Sequence, residues 1–359
     1  MSLQIKIKSS VIILLLVLGL GCHGQSQKHE KILELKKEIQ KETYPKIDGI
    51  IVAQSDKIIV EEYFGKFDKN TKHDTRSAFK SITSILAGIT IDQGIITLEN
   101  KVLKYFPEYK NKNAVDKKKE AITIKDLLEM KAGFDCEEFY GIGPDCESEM
   151  EQTKDWVNYA IDVPMKDQPG KNWAYNSNEP MIMGAVISKA SGLSIMDFSK
   201  KYLFEPLGIS DYKWTTSPKG QGMTAGSFFM KPTDMLKIGK LVDQKGQWNG
   251  KQIVSKDWIT QSTDCQIDID FSFARYSRIK NAKYTSATYG FYWYKEQLQY
   301  DDIDTEVLFA SGNGGQYIMI LKEYDTVIVF TGSNYNNWRN KLPFEITLKY
   351  LIPMLKANG

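Results

Sequence analysis

Two runs rich in β-branched residues stand near the N-terminus, Ile47–Gln54 and Lys57–Gly65, and only the turn-forming pair Ser55-Asp56 separates them, so together they read as a hairpin. Four further strand-like runs stand near the other end of the 359-residue chain: Tyr289–Tyr294, Glu306–Ala310, Gln316–Ile320 and Thr326–Phe330. The stretch between is mainly helical, with Ile122–Met130, Pro180–Ser191 and Asp234–Leu241 as its clearest helices, and Leu342–Leu355 can form a last one. Antiparallel strands from the two ends can share one sheet, which leaves the middle as an inserted lobe and a cleft between the two. The expectation is therefore an α/β (α+β) chain. Residues 46–76 and 285–359 form the sheet lobe with flanking helices, and 77–284 form the mainly helical lobe. Residues 23–45 are a polar tether running into a first amphipathic helix, with Ile32, Leu33, Leu35 and Ile39 at roughly helical spacing.

One stretch carries chemistry. A helix over 77–93 puts Phe79, Ile82, Ile85, Leu86 and Ile89 on one face, which would be core, and Gly94 is a natural stop. Ser77 then opens a buried helix, and Lys80, three residues on, shares its face. A serine hydroxyl is a poor nucleophile until a base takes its proton, and a lysine can be that base if desolvation and the helix N-terminus depress its pKa. The four-residue spacing alone also fits a surface serine beside a solvated lysine.

Other hydrolytic chemistries lack their residues. Of three histidines, His23 and His29 belong to the tail after the first apolar run, leaving His73 alone in the globular part. It reads as a surface or lead-in residue rather than a catalyst. No G-x-S-x-G elbow accompanies it, and a histidine zinc site would have too few ligands. Lys plus Arg number 47 against 45 Asp plus Glu, a net charge of +2 with both signs scattered, so no nucleic-acid footprint is visible.

Lys6 and Lys8 precede the apolar run Val11–Leu20, too short to span a bilayer comfortably, which reads as an export signal over 1–22. Gly21-Cys22 follows, resembling the lipobox at which bacterial lipoproteins are cleaved and acylated on the new N-terminal cysteine, although Gly19 holds the place where leucine is favoured. A lipid-anchored protein of the cell envelope is expected, with periplasmic or secreted forms as alternatives. Cys136 and Cys146, in an acidic loop containing Gly and Pro, can close a disulfide or stay reduced, and Cys265 is left over.

Ser77-Ala78-Phe79-Lys80-Ser81-Ile82-Thr83-Ser84, with Leu86-Ala87-Gly88 and Asp92-Gln93-Gly94 after it, resembles the first motif of the serine β-lactamase and penicillin-binding protein superfamily, in its class C-like branch. Further matches follow in order: Phe106–Tyr109, Thr123–Leu128, Pro169–Tyr175 and Leu203–Gly208. The resemblance covers nearly all of the chain after the signal. It implies a β-lactamase/DD-peptidase-like fold and a Ser77 nucleophile with Lys80 as base. In the second motif, Tyr-x-Asn, Tyr175 takes the tyrosine's place as second base, while Ser177 replaces the asparagine and Asn178 follows it. That departure is more like the nylon-oligomer hydrolases and some esterases of the branch than true β-lactamases. The third motif falls at Ala310–Gln316 and lacks its Lys or His. The resemblance places the oxyanion hole at the backbone N–H groups of Ser77 and Asn313, and substrate contacts at Ser177, Ser311 and Gly312.

Without the third motif's cation, a substrate carboxylate has less to bind, which counts against an efficient β-lactamase. The acidic loop 135–149 can face the cleft and attract a cationic or amine-bearing substrate, or be a solvated loop. Trp173, Tyr292 and Trp293 can wall an apolar acyl pocket or be core. The resemblance implies a serine hydrolase that cleaves an ester or amide of a small molecule or short peptide, with no metal or organic cofactor. D-peptides rank behind esters and small amides, and β-lactams behind both. The rival is a non-catalytic envelope protein that keeps the fold as a binding module.

Overall fold

Strands from both chain ends do meet in one sheet. The computed structural model describes residues 29–55, 57–111, 116–280 and 282–356, so the signal segment and Cys22 lie outside the described residues. The N-terminal hairpin is β1 (Ile47–Gln54) and β2 (Lys57–Tyr63). From the C-terminal part come β3 (Tyr294–Tyr300), β4 (Ile303–Gly312), β5 (Gln316–Leu321) and β6 (Thr326–Gly332). They align in the order β2-β1-β6-β5-β4-β3, and short strands at Thr288–Tyr289, Ile267–Asp268 and Lys283–Tyr284 complete a nine-stranded sheet. Each of these pairings is antiparallel, with β1 closing on β6 through Ile50 opposite Phe330 and Val52 opposite Ile328.

Helices cover both faces. Phe344 of the C-terminal helical run packs edge-on to Phe309 and Tyr317 on one face. On the other, a Cβ on Gly239 of the helix Pro232–Asp243 would lie 2.5 Å from Val327 and 2.7 Å from Ile318. This is why β5 and β6 are buried at every position and read as continuous apolar runs, while β3, nearer the edge, alternates.

After a first helix, α1 (29–40), the helix that follows Ser77, α2 (Phe79–Asp92), runs through the centre of the molecule. The expectation of a single core face falls short: every residue from Phe79 to Thr90 is buried. The polar ones bond outward to neighbouring backbone, Ser81 to the Tyr292 carbonyl at 2.5 Å and Thr83 to that of Thr224 at 2.7 Å. Those bonds hold the helix at fixed depth and angle.

Three other expectations change. Tyr289–Tyr294 is not one strand but a tight turn, because Tyr292 adopts a positive φ of 65° and the Gly290 N–H bonds back to the Trp293 carbonyl. Leu33 in the first helix (29–40) is exposed, whereas Leu35 and Ile39 are buried. His73 is buried rather than on the surface, with Nδ1 3.8 Å from Asp48 Oδ2, and burial pushes its pKa down to about 4.

Candidate active site

Ser77 sits on a single 3-10 turn, Arg76–Ala78, that leads into α2. Arg76 is at φ 49°, a left-handed conformation disfavoured for a residue with a Cβ, and its N–H is held by Asp74 Oδ1 at 2.9 Å. Thr75 is tied through its N–H and its hydroxyl to the Phe228 carbonyl. On the strand side, a Cβ on Gly312 would lie 2.3 Å from the Thr75 carbonyl and 3.2 Å from the Ala78 nitrogen. Only glycine lets the end of β4 come this close. The packing places Ser311, Gly312 and Asn313 along the same cavity as Ser77.

Lys80 lies one turn into α2 and is 2% exposed. Its Nζ donates to Ser77 Oγ at 3.2 Å, Ser177 Oγ at 3.2 Å and the Ala225 carbonyl at 2.9 Å, which uses all three ammonium hydrogens. The Tyr175 ring is 4.8 Å from the same nitrogen. Burial alone pushes this amine toward its neutral form, yet the Tyr175 phenol and the carboxylates of Glu147 and Glu138 outweigh it, so its pKa stands above the usual lysine value. The expectation of a depressed lysine is therefore corrected. In the resting site Lys80 is an ammonium.

The source of that charge is the acidic loop. Cys136 and Cys146 are joined in a disulfide, and two carboxylates turn inward beside it, Glu138 within the closed loop and Glu147 just after Cys146. Glu138 Oε2 accepts from the Ser177 hydroxyl at 2.8 Å, and Glu138 Oε1 accepts from the backbone N–H groups of Ser177 and Glu147, both at 3.1 Å. Glu147 Oε2 makes a short contact with the same Ser177 hydroxyl. Burial raises the Glu138 carboxyl to about 7; the Lys80 charge opposes this and the Glu147 charge adds to it. Asn178 does not replace the missing asparagine at Lys80, because its Nδ2 points to Cys136 Sγ at 3.0 Å. Asn176 is also occupied, bonding Glu179 and the Ala174 carbonyl.

These groups border a cavity of about 770 Å³. Its lining includes Ser77, Tyr175, Ser311, Gly312 and Asn313, as well as Glu137, Glu138, Asp145 and Glu147 from the loop. Ser177 is not among the lining residues: it is fully buried, so the expected substrate contact is corrected to an internal hydrogen bond. Trp173, Tyr292 and Trp293 do not line it either. Tyr292 and Trp293 are core, and the half-buried Trp173 packs on Phe139, Tyr175 and Tyr289. The apolar wall is instead Phe139, Phe271, Phe273 and Tyr276. Sequence reading also missed a cation. Lys341 lines the cavity with its Nζ 5.4–5.6 Å from the rings of Phe271, Phe273 and Tyr276, and burial lowers its pKa to about 8. The site is thus not devoid of positive charge, although the third motif is.

A family model described as Beta-lactamase matches residues 46–344, most of the chain. The chain belongs to the beta-lactamase family. Within that family it is 21% identical over 224 residues to the 6-aminohexanoate-dimer hydrolase of Paenarthrobacter ureafaciens, covering 59% of this chain and 56% of that protein. It is 25% identical over 185 residues to the lovastatin esterase of Penicillium rubens, covering 46% and 45% of the two chains. The matched stretches thus span about half the length of these relatives. Among solved structures, the octameric penicillin-binding protein homologue from Pyrococcus abyssi superposes with a TM-score of 0.66 at 16% identity, over 90% of this chain and 77% of that one. At such identity the superposition speaks for the fold, and the beta-lactamase family fold is what the sheet and helices show.

Proposed function

We propose that the protein is a serine hydrolase that cleaves an ester or amide through an acyl-enzyme on Ser77. The observation that carries the proposal is the 3.2 Å contact between Lys80 Nζ and Ser77 Oγ at the edge of an open cavity. A cation at that distance stabilises the alkoxide that attacks the carbonyl, and its protons can pass to the leaving group. Tyr175, packed on the same ammonium, is the second proton-transfer group of this reading. The backbone N–H groups of Ser77 and Asn313 would receive the oxyanion, with Ser311 and Gly312 alongside the acyl group.

Carboxylic esters and small amides come first as substrates, D-amino-acid peptides second and β-lactams third. The names of the esterase and 6-aminohexanoate-dimer hydrolase relatives support this order, as does the absence of Lys and His from Ala310–Gln316. A purely binding role would not need a buried ammonium held on a serine hydroxyl. The same proposal places the protein at the bacterial cell envelope, by a lipid on Cys22, with a small molecule or short peptide as its partner; this part rests on the sequence alone. The test is turnover of p-nitrophenyl esters and short amides by the signal-free protein beside Ser77→Ala. Hydrolysis that disappears in the variant supports the reading. Equal rates for the two proteins would refute it.

A further inference from the structure

Ser177 stands where the family's second motif carries an asparagine, and its hydrogen bonds show what a hydroxyl can do there. A hydroxyl has one hydrogen to donate and two lone pairs to accept with. Ser177 Oγ accepts from Lys80 and lies within hydrogen-bond reach of a carboxyl oxygen from each of Glu138 and Glu147. It can donate to only one of them. The other must carry a proton and donate to Ser177, so Glu138 and Glu147 together hold one proton beside a buried ammonium. An amide at this position could not both receive a proton from Lys80 and release one to a carboxylate, whereas a hydroxyl does so without moving.

A continuous chain therefore runs Ser77, Lys80, Ser177, Glu138, with links of 3.2, 3.2 and 2.8 Å. It also answers a difficulty in the site, since Lys80 is already charged and has no room for a proton of its own to gain. We propose that Glu138, acting through Ser177 and paired with Glu147, is the positioning residue that takes up the proton released by Ser77. Lys80 passes one ammonium proton to Ser177 as Ser177 passes its own to Glu138, which leaves a neutral amine beside Ser77. As the bond from Ser77 Oγ to the carbonyl carbon forms and the carbonyl π pair moves onto oxygen, that amine takes the Ser77 proton. Lys80 is then an ammonium again, and the chain runs in reverse to protonate the leaving group. The inference rests on the reading of Ser77 as nucleophile.

The groups facing Glu138 come from every element around it: Lys80 of α2, Glu147 of the helix Cys146–Glu151, Tyr159 of the helix Trp156–Asp162 and Glu179 of the helix Asn178–Ser191. Lys80 favours the ionised form of Glu138, and Glu147 and Glu179 oppose it. Proton uptake requires a carboxylate free to accept, so activity should rise with pH through the titration of Glu138, at about 7.

The test is the pH profile of kcat and KM on p-nitrophenyl butyrate for the wild type, Glu138→Gln, Ser177→Ala, Ser177→Thr and Ser77→Ala, with thermal unfolding of each. Expected are an acidic limb in the wild type and its loss in Glu138→Gln and Ser177→Ala, with kcat about 100-fold lower and KM changed by less than about threefold. Ser177→Thr, which keeps a hydroxyl, should restore the limb. A Glu138→Gln protein that keeps the wild-type limb, while Ser77→Ala is inactive, would overturn the relay and leave the nucleophile standing. A fall in kcat that merely follows lost thermal stability, with the limb unchanged, would overturn it as well. If Ser77→Ala keeps wild-type activity, the nucleophile reading fails and the relay goes with it.

Discussion

Lys341 lines the cavity and Lys80 lies buried behind Ser77, and the two lysines respond to burial in opposite directions. Lys80, on the side of the disulfide loop, is raised because carboxylates and a phenol answer its charge. Lys341, beside the aromatic wall, is lowered to about 8 by burial, with aromatic faces and the Asn340 amide oxygen as its company. Among the described residues no carboxylate lies within ion-pair distance of Lys341 Nζ. Desolvation acts on both, and the neighbouring charges decide the outcome. The acidic wall thus answers the charge of Lys80, and the aromatic wall leaves that of Lys341 without a carboxylate within ion-pair distance among the described residues.

The largest test of that contrast is at the chemistry itself. Ser77→Ala should lower kcat by about 10⁴-fold or more, and Lys80→Ala by a comparable factor, because groups that act as one unit fail together. Ester turnover at saturating substrate checks both. A Lys80 variant with near wild-type turnover would break the assignment of the acidic wall to catalysis.

Next comes the clamp on that wall. Removing the disulfide with Cys136→Ser and Cys146→Ser frees a short loop, and should cost about 2–3 kcal/mol in denaturant unfolding. Turnover should fall by about tenfold, because Glu138 and Glu147 lose their fixed approach to Ser177. Unchanged turnover would mean that the carboxylates find their places without the clamp.

The frame was legible and the acidic wall was not, for a physical reason. Continuous apolar runs such as Thr326–Phe330 and the stripe after Ser77 report burial through local pattern alone, and the ordered motifs placed Ser77, Lys80 and Tyr175 around one centre. Glu138 and Glu147 look like any solvated loop acids, and only the tertiary path of the disulfide loop turns them toward Ser177. The density of acids in 135–149 left both a cleft-facing and a solvated loop open, and the fold brings Glu137, Glu138, Asp145 and Glu147 to the cavity. His73 was misjudged because one polar residue carries no periodicity, and the left-handed Tyr292 broke an expected strand in a way that composition does not announce.

Gly312→Ala tests the join between strand and nucleophile. Its Cβ would fall 2.3 Å from the Thr75 carbonyl, so the end of β4 must move, at a cost of about 1–3 kcal/mol in stability and with reduced turnover. Retained stability and turnover would show that the turn can yield.

The smallest effect belongs to the aromatic wall. The folded pKa of Lys341, about 8, lies below the unfolded value near 10.5, so the unfolded chain binds more protons between those pH values and stability rises with pH across that window. Below pH 8 the burial cost is present in full. Lys341→Met should therefore stabilise the protein by about 1–2 kcal/mol at pH 7, a gain that fades toward pH 10. Thermal unfolding at the two pH values checks this, and a gain independent of pH would remove desolvation as its cause.

The central claim is that Ser77 is an activated nucleophile. Intact-mass measurement and peptide mapping of the signal-free protein after exposure to a fluorophosphonate test it most directly, with Ser77→Ala alongside. The account predicts a single adduct on the peptide that carries Ser77, absent from the variant. An unmodified Ser77 in the folded wild-type protein would contradict it and move the non-catalytic binding module to the front.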